Sequence, residues 1–314
     1  MKRHIALVLA PLALAIGAVP AWSQPQAAAP SSAAEPTDPK ATEQWEPVPK
    51  LVAPGAQDAA PPSDAVVLFD GHGLGQWETV KDHSPARWNV HDGVLTVAKT
   101  AGNIQTKQRF KNYQLHLEWQ VPKDITGEGQ ARGNSGVFLA STGPGDEGYE
   151  IQIMDSWKNK TYVNGQAASI YKQTPPLVNA MRPPGAWQSY DIVWTAPVFA
   201  PDGSLQSPAY VTLFHNGVLV QNHTRLAGET FYIGKPKYKP YSEAPIKLQA
   251  HGDPSPAISF RNIWVRPLDL AAGENLEPSM FKRRVEASLG CLVRRMFEEP
   301  RRAPPGPPPF CGPA

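Results

Sequence analysis

Two short segments set hydrogen-bonding side chains at alternate positions between apolar ones: Tyr149-Glu150-Ile151-Gln152-Ile153-Met154 and Ile246-Lys247-Leu248-Gln249-Ala250-His251. In an extended chain successive side chains point to opposite faces. Glu150 and Gln152 then share one face, with Tyr149, Ile151 and Ile153 on the other. By the same rule Lys247, Gln249 and His251 stand together, opposite Ile246 and Leu248. A carboxyl and an imidazole are groups that move protons near neutral pH, and amides suit the binding of hydroxyls. A solvated outer sheet face carries a polar row as well, so alternation alone leaves both readings open.

A third segment, Arg132-Gly133-Asn134-Ser135-Gly136-Val137-Phe138, reads as a loop feeding a strand. Glycines on both sides of Asn-Ser permit a tight turn or a close backbone approach, and Arg132 and Asn134 offer planar donors to a ligand. Asp155 follows the Glu150 segment directly. Regular alternation puts it on the face opposite Glu150, so it belongs at the rim, as a ligand contact or as a simple turn residue. Trp157, Tyr162, Tyr171 and Trp187 fall in or near long loops, where aromatic rings either stack on sugar rings or pack. No nucleophile elbow, phosphate loop or HExxH motif is present, which removes several large enzyme classes. No cofactor is called for. Glu150, Asp155 and His251 have the donor chemistry for a divalent cation, but their spacing fits no recognised ligand pattern.

The elements that must position these residues are strands. From Val66 onward the chain breaks into short alternating or β-branched runs: Val66–Phe69, Trp88–Val90, Val94–Ala98, Tyr113–Val121, Gly136–Ala140, Tyr149–Met154, Ser189–Thr195, Tyr210–His215, Val218–Asn222, Ile246–His251 and Ile258–Arg266. His91-Asp92-Gly93 and Asn216-Gly217 are hairpin signals. With no long amphipathic helix between Val66 and Leu268, the expectation is all-β: a two-sheet antiparallel sandwich, a jelly roll, spanning 64–268.

The ends have a different texture. Lys2, Arg3 and His4 precede an apolar run from Ile5 to Val19 and the small-residue sequence Ala21-Trp22-Ser23. This predicts a cleavable signal peptide over 1–23, export to the periplasm or beyond, and no transmembrane segment after cleavage. No cysteine follows the run to take a lipid. Residues 24–63, rich in Pro and Ala, read as a disordered linker. Residues 269–314 form an extension in which Phe281, Val285, Leu289, Leu292, Val293, Met296 and Phe297 recur at helical spacing among basic residues. A helix against the sandwich or a poorly ordered tail is the plainer reading, and a basic amphipathic helix touching a membrane surface or a partner is the other. Cys291 and Cys311 lie in or beside that tail, where a disulfide would staple the tail and not the core. A net charge of +2 gives no field that points to nucleic acid.

Seven segments occur in one order: LFDG with GQW (68–77), WNVHDGVL (88–95), RGNSGVF (132–138), GYEIQIMD (148–155), Trp187–Tyr190, LQAHG (248–252) and ISFRNIWVRPL (258–268). Together they closely resemble the 3-keto-disaccharide hydrolase family, whose jelly roll is of the laminin-G and concanavalin A-like lectin and glucanase type. The resemblance covers about Ala65 to Leu268. Residues 196–209 look like an insertion, and the tail after Leu268 looks foreign to the family domain.

What the resemblance implies is an enzyme acting on sugars oxidised at C3. A ketone there acidifies the C2 proton, so a base can remove it, expel the C1 substituent, and let water add back. On this expectation Glu150 and His251 are the base and acid, Arg132 or a bound cation steadies the enolate, and Asn134, Gln152, Gln249 and Asp155 contact substrate. A non-catalytic carbohydrate-binding sandwich is the alternative, because a fold does not determine a function.

Overall fold

The computed structural model describes residues 38, 40, 43, 45–57 and 59–270. The leader at 1–23, residues 24–37 of the linker, the helical pattern at 281–297 and both cysteines lie outside the described residues. Residues 1–50 and 51–314 are two separate units. In the first, the amide of Lys40 donates to Asp38, and Trp45 is exposed.

The second unit holds all the strands of the described residues. In chain order they are β1 (Val66–Phe69), β2 (Trp77–Thr79), β3 (Asn89–His91), β4 (Val94–Thr96), β5 (Ile104–Thr106), β6 (Tyr113–Gln120), β7 (Ser135–Ser141), β8 (Gly148–Ile153), β9 (Trp187–Thr195), β10 (Val198–Phe199), β11 (Leu205–Ser207), β12 (Tyr210–His215), β13 (Val218–Arg225), β14 (Lys247–Leu248) and β15 (Ser259–Pro267). One sheet runs β13-β12-β9-β6-β15-β4-β3 with β1 also paired to β15, and a second runs β2-β5-β14-β7-β8. The strand pairs are antiparallel. This is the β-sandwich that the alternation predicts.

The core forms where the inward positions of the two sheets meet. Tyr113, Leu115, Leu117 and Trp119 of β6 and Tyr190, Ile192 and Trp194 of β9 are buried from one side; Val137 and Leu139 of β7 and Tyr149, Ile151 and Ile153 of β8 are buried from the other. Trp119 meets Tyr190 edge to face at 5.4 Å, and Tyr149 lies 5.4 Å from Trp194. Buried aromatics of this size dominate core energetics.

Both hairpin signals are two-residue turns. His91 pairs with Val94 across Asp92 and Gly93, and His215 pairs with Val218 across Asn216 and Gly217. All four central residues have φ between +50° and +78°, the geometry that selects Asn-Gly and Asp-Gly. Residues 196–209 carry their own two-stranded ribbon, β10 with β11. The three-residue strands β2 and β5 are absent from the runs read in the sequence, whereas β3 and β4, equally short, are marked by the Asp92-Gly93 turn between them. The last part of the proline-rich stretch is held to the sandwich: the carbonyl of Ala59 accepts from Asn262 Nδ2 and Trp264 Nε1, each at 2.9 Å.

Candidate functional site

β8 is the edge of the five-stranded sheet, and its outward row is Glu150 and Gln152. That row is not solvated: Glu150 is 5% exposed and Gln152 is 1% exposed. Two loops cover it. Residues 168–171 run along β8, with Ala168 N donating to Gln152 O, Gln152 N to Ser169 O and Tyr171 N to Glu150 O. Thr230, from the loop after β13, bridges Gly148 O and the Glu150 amide through its hydroxyl.

Under these loops lies a cavity of about 250 Å³ lined by Asn134, Asp146, Glu150, Gln152, Tyr171, Thr230, Tyr232, Gln249 and His251. Six of the residues singled out in the sequence therefore converge: Glu150, His251, Asn134, Gln152, Gln249 and Tyr171. The convergence follows from register. Gly136 of β7 pairs with Gln152 and Phe138 with Glu150, while Phe138 also pairs with Lys247 of β14. Beyond β14 the Gln249 amide still donates to Gly136 O, and Ser135 Oγ donates to Gln249 O. The run expected over 246–251 is thus a two-residue strand with one further ladder bond, enough to carry Gln249 and His251 alongside β7.

Gly136 has a second duty. A Cβ there would collide with Oε1 of Glu150 and come within 3.0 Å of its Cδ, so the carboxyl lies in the space that a side chain would fill. Burial pushes the Glu150 carboxyl up to about 8, the Asp146 carboxylate adds to the rise, and Lys247 works against it. The cause is loss of hydration, which disfavours the charged form. Lys247 does not neutralise Glu150 by contact; its ammonium donates to the carbonyls of Gly145 and Glu147 and lies 4.1 Å from the Phe138 ring centroid. Glu150 is accordingly a neutral acid at pH 7, able to donate a proton.

The amides are oriented by donation. Gln152 Nε2 donates to Asn134 Oδ1 at 2.8 Å and to the carbonyls of Ser135 and Ile153, and Asn134 Nδ2 donates to Gln130 O. Gln152 Oε1 and Gln249 Oε1 are buried and have no protein donor. Buried acceptors are nearly always satisfied, so two orphans in one cavity call for a ligand rich in O–H donors. His251 is more open, its side chain 37% exposed, with Nδ1 3.0 Å from Asp253 Oδ2. Tyr171 hydrogen-bonds Tyr162 at 3.0 Å, and Tyr232, 72% exposed, carries Lys172 Nζ at 4.3 Å from its ring centroid. The Tyr171 and Tyr232 rings rim the cavity.

Arg132 and Asp155 are placed elsewhere. They do not line the cavity; Arg132 Nε donates to Asp155 Oδ2 at 2.6 Å and its Nη1 to the carbonyls of Ile125 and Gly127. Asp155 is wholly buried and also accepts from the amide of Trp157. This pair ties the loop before β7 to the end of β8, so it shapes the site from behind. The Glu150, Asp155 and His251 set suggested for a cation is therefore not assembled, and among the described residues no group of three His, Cys, Asp or Glu side chains is arranged to hold a metal ion. Trp187 is at the head of β9 in the other sheet, under the Arg261 guanidinium at 4.2 Å. Sequence reasoning missed Asp146, Thr230 and Tyr232. Asp146 had one signal, its place in a Gly/Pro loop four residues before Glu150; Thr230 and Tyr232 had none, since only the tertiary fold lays their loop over β8.

Residues 64–266 match the family model described as the 3-keto-alpha-glucoside-1,2-lyase-like domain. A 3-keto-disaccharide hydrolase of Bacteroides thetaiotaomicron is 24% identical over 242 residues, 65% of this chain and 78% of that protein. A crystal structure of a candidate glycosyl hydrolase of Parabacteroides distasonis is 54% identical, covers 74% of this chain and 97% of its own, and superposes with a TM-score of 0.69. A second such structure from the same organism is 20% identical, covering 65% of this chain and 94% of its own at a TM-score of 0.46. With the matched region coextensive with the sandwich, the chain belongs to the 3-keto-alpha-glucoside-1,2-lyase-like family of carbohydrate-active, glycoside hydrolase-like proteins.

Proposed function

We propose that the protein cleaves the glycosidic bond of 3-keto-glycosides or 3-keto-disaccharides by elimination and rehydration. The observation that carries this reading is the shared cavity: a neutral buried carboxyl on Glu150 and an imidazole on His251 line it together with two orphan acceptors. Its volume, about 250 Å³, falls just below the roughly 300–1,000 Å³ of sites for drug-sized ligands, and suits one sugar ring with its partner ring at the Tyr171 and Tyr232 rim.

The chemistry follows from a carboxyl that holds its proton beside an imidazole. The ketone lowers the barrier to removing the C2 proton, which His251 takes as general base. Electrons pass from the C2–H bond into C1=C2 as the C1–O bond breaks, and Glu150 gives its proton to the departing oxygen. The Glu150 carboxylate then takes a proton from water as that water adds to C1, and the imidazolium returns a proton to C2. The net change is addition of water across the glycosidic bond. Gln152 and Gln249 accept from the sugar hydroxyls through their free oxygens.

Turnover of a 3-keto disaccharide and of its unoxidised parent, followed by product chromatography in deuterated water, tests the reading. Products from the keto sugar alone, with deuterium at C2, support it. Equal cleavage of both sugars, or saturable binding without product, sinks it; the latter outcome identifies a lectin-like binder.

A further inference from the structure

Behind His251 lies a network of charged and polar side chains. Asp253 is two residues further along, with its side chain only 2% exposed. Its Oδ2 lies 3.0 Å from His251 Nδ1. Its Oδ1 accepts from the Ser255 amide at 2.9 Å, from the Ser255 hydroxyl, and from Lys99 Nζ at 3.2 Å. Lys99 Nζ also donates to the carbonyls of Asp253 and Ser255, both at 2.6 Å, and Ser255 Oγ accepts from the amide of Gly133 at 2.9 Å. The network thus reaches from His251 to the glycine that precedes Asn134.

We propose that Asp253 is a positioning residue for the base: its Oδ2 accepts Nδ1–H of His251, fixes the tautomer with an unprotonated Nε2, and steadies the imidazolium formed when the C2 proton arrives. This rests on the reading of His251 as the base. Burial alone would raise the Asp253 carboxyl; the hydrogen bonds from His251 and Ser255 outweigh it and hold the group below its ordinary value. It is therefore a carboxylate, and Lys99 keeps it one. The proton balance is simple, since the proton leaves C2 for Nε2, Nδ1–H stays on the ring, and Asp253 never takes it. The Asp253 amide, 3.2 Å from Nδ1, would serve only the opposite tautomer, in which Nε2 carries the proton and cannot act as base.

The donor count makes Asp253→Asn a sharp test. Three donors converge on Oδ1, so the amide oxygen of Asn must occupy that position and its NH₂ must face Nδ1. His251 is then forced to accept at Nδ1 and to hold its proton on Nε2. The expected result is a fall in kcat of about 10²–10⁴-fold on a 3-keto disaccharide, with KM within about two-fold. Nitrogen-15 histidine spectra of the free enzyme are expected to show protonated Nδ1 in the wild type and protonated Nε2 in the variant. The rising limb of the pH–rate profile should change shape as well, read against the other charges of the cavity, Glu150 and Asp146, and Lys99 behind. Unchanged spectra and kcat in Asp253→Asn, beside an inactive His251→Gln, overturn the role of Asp253 alone. Normal turnover by His251→Gln removes the base itself, and with it the reading on which the role rests. Should Asp253→Asn not fold, the wild-type spectrum decides: a proton on Nε2 overturns the proposal.

Discussion

Replacing Glu150 with Gln keeps the shape of the side chain over Gly136 but removes its proton, and the consequences for stability and activity run in opposite directions. Glu150 has an ordinary carboxyl value of 4.5 in the unfolded chain and is pushed to about 8 in the fold. A group raised in the folded state contributes its full stability below its unfolded value and loses it as pH rises. Between these two values the folded protein holds a proton that the unfolded chain has shed, at about 1.4 kcal/mol per pH unit. Relative to the Gln variant, the wild type therefore loses about 3 kcal/mol between pH 4.5 and pH 7, and about 5 kcal/mol by pH 8 and above. For a domain of this size 1 kcal/mol moves the midpoint by about 2–4 °C, so the gap at pH 7 should exceed that at pH 4.5 by about 6–12 °C. Thermal and urea unfolding of both proteins from pH 4.5 to pH 9 measure it. Turnover of the 3-keto disaccharide by the variant should meanwhile drop about 10²–10⁴-fold, the size of a lost general acid. A stability gap that stays constant across the range means that Glu150 ionises normally and the dry-acid reasoning is wrong; near-normal turnover in the folded variant removes Glu150 from the mechanism.

Gly136→Ala puts a Cβ against Oε1 and Cδ of Glu150. It should cost about 1–3 kcal/mol, as overpacking does, and should impair kcat by moving the acid; full activity with unchanged melting would show that the carboxyl can turn away freely. His116, stacked on Trp264 and 2.6 Å from Asp191, lies in the other sheet. Burial works to lower it, but the carboxylates of Asp191 and Glu118 prevail and raise it to about 9. Its contribution is whole below the ordinary value of 6.5 and is lost as pH rises through about 9. His116→Gln should accordingly be less stable than wild type by about 1–3 kcal/mol at pH 6, allowing for the solvent screening of half-exposed Asp191, with the difference closing by pH 9.5. Urea midpoints at the two pH values check this, and a difference that fails to close refutes the charged pairing.

The period of two was enough to assign the sandwich and to put Glu150 with Gln152, and Gln249 with His251, because strand geometry sends alternate residues to one face whatever lies around them. Asp92-Gly93 and Asn216-Gly217 were equally legible, since a φ above zero at two successive residues selects those types. Alternation was silent on whether that face met water. Burial there depends on residues 168–171 and Thr230 closing over β8, contacts made across 16 to 82 positions of chain, and no local pattern encodes them. The same closure dries Glu150 and makes it an acid, strands the amide oxygens of Gln152 and Gln249, and brings in Tyr232. Arg132 and Asp155 illustrate the converse. Both had the chemistry for a ligand, but a charge buried at the loop junction is stable only when paired, and the nearest partner for each was the other. Residue type and spacing alone thus determined which side chains share a face; tertiary packing decided which of them are dry, paired or open to a sugar, because hydration and electrostatics depend on neighbours distant in sequence.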